Sequence, residues 1–160
     1  MQNEGNQLLS EVVVTMFVPK ELIDSPMSVP SPGSEKEKFE LALEIPDYKT
    51  VEDLIMHGID HFNEVLFHEH KPLRLPEIPE LYTLKIAKPN GKPDSDFPDL
   101  SDHCQTILSL KYGYFCICFN EAELVEQMKQ EYILKTAYYE STTLKKLSAA
   151  EMGRIVREES

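Results

Sequence analysis

Residues 81–100, LYTLKIAKPNGKPDSDFPDL, decide how the chain is organised. The stretch opens as a strand: Tyr82, Leu84 and Ile86 alternate with Thr83 and Lys85, the period-two pattern of a half-buried strand. Pro89-Asn90-Gly91 breaks it, because proline and glycine punctuate regular structure. The chain then runs through an acidic loop, set at residues 89–103, that carries Asp94, Asp96, Asp99 and Asp102 with no basic residue among them. Phe97 stands inside this cluster beside Pro98. A strand feeding such a loop makes a poor active site and a good docking surface.

Upstream, the segment KPLRLPEIPE at 71–80 has three prolines and must be an extended connector. Before it lies the strongest periodic signal in the chain. Val51, Leu54, Ile55, Gly58, Ile59, Phe62, Val65 and Leu66 fall on one helical stripe. Thr50 is the expected N-cap, with Glu52 and Asp53 in the first turn where the helix dipole favours anions. The helix is expected to end near Phe67. Two strands precede it, EVVVTMFVP at 11–19 and KFELALEIP at 38–46. In the second, Phe39, Leu41, Leu43 and Ile45 alternate with Glu40, Ala42 and Glu44. The serine- and proline-rich residues 19–37 between them are expected to form a flexible loop, with Ser25-Pro26 and Ser31-Pro32 as turn dipeptides.

Downstream, Tyr114 to Phe119 is apolar on both faces, as a central strand requires. Asn120 caps a further helix with Glu123 at its third position and Leu124, Val125, Met128 and Tyr132 at helical spacing. Ile133 to Leu147 fits helix or strand. Ser148 and Glu151 form a capping box, with Leu147 and Met152 placed as a hydrophobic staple. Strand, strand, helix, strand, acidic loop and strand is the order of an α+β, ubiquitin-like β-grasp: a mixed sheet on one helix, with a protruding acidic loop and a partly helical C-terminal tail. The expected division is a disordered N-terminus over 1–9, the domain over 10–120 and a helical extension over 121–160.

Composition narrows the partners. The 160 residues hold 16 Lys+Arg against 28 Asp+Glu, a formal charge of −12. That field repels phosphate backbones and anionic lipid, so nucleic acid and direct membrane insertion are not expected, and a basic protein surface is. Three cysteines, Cys104, Cys116 and Cys118, make no disulfide framework and point to a reducing, cytoplasmic setting. The sequence MQNEGNQLLSE lacks the basic and apolar regions of a secretion signal.

No chemistry emerges from the motifs. Asp94-x-Asp96 starts like a calcium-binding EF-hand, but Pro98 and Asp99 fill its fifth and sixth positions and Gln105 its twelfth, where glycine and glutamate are needed at the last two. His57 and His61 are spaced for a shared metal, yet His57 projects away from the apolar stripe and no third ligand is fixed by spacing. Cys116 and Cys118 lack the spacing of a zinc site and are expected as buried structural thiols. Phosphate-cradling and nucleophile-elbow motifs are missing from the sequence. The chain is expected to be neither an enzyme nor a cofactor carrier.

The order Tyr82-x-Leu84-x-Ile86-Ala87, Gly91, then Asp94-x-Asp96-Phe97-Pro98-x-Leu100 resembles the "conserved region in the middle" (CRIM) domain of the stress-activated MAP kinase-interacting subunit of TOR complex 2. A Tyr-Gly-Tyr strand from Tyr112 to Cys118 stands where that family has Phe-Gly-Phe, and the Thr50-Val51-Glu52-Asp53-Leu54 helix start agrees. The resemblance spans roughly residues 50–119. It implies a ubiquitin-like domain whose acidic loop recruits AGC-family protein kinases, as substrates, to the other TOR complex 2 subunits. It further implies cytoplasmic residence, with peripheral placement at the plasma membrane through the full-length protein. The recruiting residues would be Asp94, Asp96, Asp99 and Asp102, with Phe97 and Leu100 as apolar contacts. The alternative is an assembly module that binds through its sheet face or C-terminal helices, through Leu124, Met128 or Ile155.

Overall fold

Two long strands, β1 (Leu9–Pro19) and β2 (Lys36–Pro46), form an antiparallel hairpin paired from Leu9–Pro46 to Pro19–Lys36 in the computed structural model, which describes residues 9–138. The helix α2 (Val51–His68) follows, after the short α1 (Lys20–Asp24) inside the hairpin connection. Strand β3 (Tyr82–Ile86) then pairs antiparallel with β4 (Tyr114–Phe119), and β4 lies parallel to β1. The sheet order is β2-β1-β4-β3. A mixed four-stranded sheet with a parallel central pair and one long helix across it is the β-grasp arrangement.

The alternation in each strand decides which face meets the helix. Val14 and Met16 of β1, Phe39 and Ile45 of β2, Leu84 and Ile86 of β3, and Phe115 and Ile117 of β4 share one core with Leu54, Ile55, Ile59, Phe62 and Leu66 of α2. Phe39 and Phe62 are in ring contact across this interface, 5.6 Å between centroids. Gly58 sits in the middle of the apolar stripe for a steric reason: a Cβ there would lie 2.7 Å from Cδ1 of Ile117. The helix comes too close to β4 for any side chain without repacking.

The helix start follows the sequence reading. The Thr50 hydroxyl accepts from the Asp53 N–H and the Asp53 carboxylate accepts from the Thr50 N–H, a reciprocal capping box. The carbonyls of Gln105 and His103 take the N–H groups of Val51 and Glu52. The orphan donors of this helix end are therefore met by the segment that closes the acidic loop.

Three expectations are corrected. Residues 19–37 are not a uniformly open loop, because α1 buries Leu22 and Ile23 in the core. The remainder does turn at the serines: Ser28 donates to the Ser25 carbonyl and Ser34 to that of Ser31. The proline connector does not merely cross the surface, since Leu73 and Leu75 are buried. The Asn63 side chain both donates to and accepts from the Leu75 backbone, and the Tyr82 hydroxyl donates to the Pro76 carbonyl. Finally, the domain does not end at residue 120. A helix α3 begins at residue 121 and continues to residue 138, capped by Asn120, whose side chain accepts from the Glu123 N–H. Its Leu124, Val125 and Met128 join the core, whereas Tyr132 is 60% exposed rather than on the buried stripe. Of the N-terminus expected to be disordered over residues 1–9, Leu9 is the first residue of β1 and the rest lie outside the described residues, as do the capping box at Ser148 and Ile155.

Candidate docking surface

The acidic loop is stitched to β3 rather than freely protruding. β3 is an edge strand, and its outer backbone groups need partners. The Asp94 N–H donates to the Ile86 carbonyl and the Leu100 N–H to the Leu84 carbonyl, both at 2.9 Å. A tight turn precedes the first stitch, where Gly91 N–H donates to the Lys88 carbonyl. Gly91 has φ of +89°, and a Cβ would meet the Thr15 side chain at 2.7 Å. Both backbone conformation and space call for glycine.

The four aspartates are then distributed by the stitching. Asp94 is half-buried at the first stitch, and its side chain accepts from the Asp96 N–H. Asp96 and Asp99 are exposed in the bulge between stitches. Asp102 is exposed beyond the second, with its side chain accepting from the Cys104 N–H. Asx-type turns of this kind set the loop's shape with the same carboxylates that charge it. Asp99 also pairs with Lys85 at 3.5 Å. The run is unbroken by basic residues in sequence, yet one of its members is partly neutralised in space.

The two apolar residues assigned to the site diverge. Leu100 is only 8% exposed and belongs to the core, so its assignment as a partner contact is corrected: the backbone pairing with Leu84 turns its side chain inward. Phe97 is half-buried and packs against the core, and its ring meets Tyr112 edge-on at 5.0 Å. Tyr112 keeps 43% of its surface exposed, so the pair presents an aromatic ledge at the foot of the acidic bulge. Sequence reading missed Tyr112 and Lys85 as members of this surface. The position of Lys85, facing away from the core on the strand that feeds the loop, was the one available signal.

No protein-family model matches the chain, and no curated protein matches it. The loop's assignment therefore rests on its own geometry and on the motif resemblance. Among the described residues, no helix is long and apolar enough to cross a membrane, and no three histidine, cysteine or acidic side chains are grouped to hold a metal ion.

The alternative assembly surface also changes content. Leu124 and Met128 are core residues and cannot reach a partner. On α3 the exposed large apolar side chains are Tyr132, Ile133, Leu134 and Tyr138, at 60%, 63%, 71% and 68% exposure.

Proposed function

We propose that this domain is a non-catalytic adaptor that recruits an AGC-family protein kinase to TOR complex 2 through its acidic loop. The observation that carries this reading is the combination of exposed Asp96, Asp99 and Asp102 with the Phe97–Tyr112 ledge on one backbone-anchored loop. Its motif resemblance to the CRIM domain names the class of partner. The domain supplies proximity, raising the substrate's effective concentration at a catalytic subunit carried elsewhere in the assembly. Its setting is the cytoplasm, at the membrane surface only through other parts of the full-length protein.

Magnitudes divide the labour. Exposed ion pairs contribute roughly 0.2–1 kcal/mol each, and charges are screened over ~8 Å at physiological salt. Four such pairs give at most about 4 kcal/mol, half of what a micromolar complex requires. The aspartates steer and select a basic partner surface, and the aromatic ledge must supply much of the rest. A pull-down of AGC-kinase domains with the wild-type chain and with the four aspartates changed to asparagine tests this directly.

A second reading has one observation in its favour. Tyr132, Ile133 and Leu134 leave an apolar stretch of α3 open, and an assembly module could pack another subunit there. Pull-down would then depend on Ile133 and Leu134 and be indifferent to the loop.

A further inference from the structure

The sheet face opposite α2 holds an open groove of about 590 Å³ lined by Phe17, Lys36, Lys92, Pro93 and the two cysteines of β4, with Glu121 at its end. Cys116 and Cys118 are two residues apart on one strand, so their side chains leave the same face. Their Sγ atoms lie 3.8 Å apart, in hydrogen-bond contact. Cys116 is buried and Cys118 half-buried, which makes Cys118 the thiol that opens to the groove. The charges around the pair are mainly positive. Lys36 comes from β2, Lys92 from the turn that opens the acidic loop, and Lys85 stands opposite Cys116 across the β3–β4 ladder. Against them stand Glu121 and Asp99, the latter already paired with Lys85.

The geometry points to Cys118 as a thiol–disulfide exchange site for a small anionic disulfide such as glutathione disulfide, with the lysine-rimmed groove as the seat of the incoming group. Reactive thiols occupy electropositive, partly open settings of this kind, and structural ones do not. In the exchange the Cys118 thiolate, its proton given up to solvent, attacks one sulfur of the disulfide. A new S–S bond forms at Cys118, the reagent's own S–S bond breaks, and one glutathione departs as its thiolate. The acidity of the pair agrees. The hydrogen-bond contact with Cys116 lowers the Cys118 pKa, burial and Asp99 oppose it, and Lys85 and Lys36 lower it further. The same contact and burial push Cys116 up.

The competing product is an internal Cys116–Cys118 disulfide, and the strand resists it. Alternate residues of an extended strand are ~6.6 Å apart at Cα, the far limit of what a disulfide spans, and their parallel Cβ vectors do not converge to the ~4 Å that the bond needs. β4 is paired with β3 from Phe115 to Phe119 and with β1 as far as Cys116, so puckering it to bring the two thiols together would break the β3 ladder.

The test is incubation of the whole chain with glutathione disulfide at neutral pH, followed by intact-mass measurement and peptide mapping over time. The expected result is one glutathionyl adduct on Cys118, formed faster than on Cys104, although Cys104 is the more exposed thiol. Adduct formation first on Cys104, or loss of two hydrogens through an internal disulfide, overturns the proposal. A second arm uses K36E/K92E and compares glutathione disulfide with the cationic disulfide cystamine. The rate ratio should shift toward cystamine by roughly two- to fivefold per lysine. Because both reagents meet the same variant, altered exposure cancels in the ratio, and an unchanged ratio removes the groove as the seat.

Discussion

Phe97 of the acidic loop and Tyr112 of the segment leading into β4 meet edge to face, 5.0 Å between ring centroids and 66° between planes. This contact joins two stretches that approach β3 and β4 from opposite ends of the long connection between those strands. It fixes the bulge carrying Asp96 and Asp99 relative to the sheet, so the loop's charge is held in place. A double-mutant cycle on F97A and Y112A should give a coupling of about 0.5–1.5 kcal/mol in chemical denaturation. Additive losses would mean that the rings merely lie near one another.

Leu100 separates core from contact. Its side chain is in the core cluster and its N–H is bonded to Leu84, so L100A should lower stability by about 2–3 kcal/mol. At a temperature where the variant is fully folded, kinase binding should be retained. Lost binding with an unchanged melting temperature would restore Leu100 as a contact residue.

The turn at Gly91 is doubly constrained, by φ of +89° and by Thr15. G91A should destabilise by about 1–3 kcal/mol. Adding T15S removes the nearest clash, with Cγ2, and leaves Oγ1 at 2.9 Å, so the double variant should recover some stability and stop short of wild type. Full recovery would show that the backbone conformation carries no strain.

The capping box gives a pH signature. The hydrogen bond from the Thr50 backbone N–H holds the Asp53 carboxyl below its ordinary value, burial opposes, and the Thr50 side chain adds to the lowering. A folded pKa below the unfolded one means that the contribution is fully present above the unfolded value. It is lost as pH falls below about 4 toward the folded value. T50A should cost about 1 kcal/mol at neutral pH. D53N should flatten the acid limb of the stability profile measured from pH 5 downward. An acid limb unchanged by D53N would contradict the assignment.

Much of this architecture was legible because local signals were strong. The α2 stripe with its Thr50 cap, the alternation in KFELALEIP and the two-faced apolar run at Tyr114–Phe119 each name one structure. What escaped was long-range. Nothing near Leu22 and Ile23 in sequence announces that a serine- and proline-rich connection will place them in the core. The stitching of Asp94 and Leu100 to β3 is backbone hydrogen bonding, which side-chain patterning does not encode. Leu100 looked available for that reason. Tyr112 is read as part of a strand approach until the fold sets it beside Phe97.

The central claim is that the exposed aspartates recruit a basic kinase surface while leaving the fold to other residues. The most direct measurement is the affinity of an AGC-kinase domain for wild type and for D94N/D96N/D99N/D102N across a salt series, with melting temperatures recorded in parallel. The expected result is wild-type binding that weakens as salt rises, its loss in the variant, and a melting temperature nearly unchanged. Binding that survives neutralisation of all four aspartates, or a variant that no longer folds, would contradict the account.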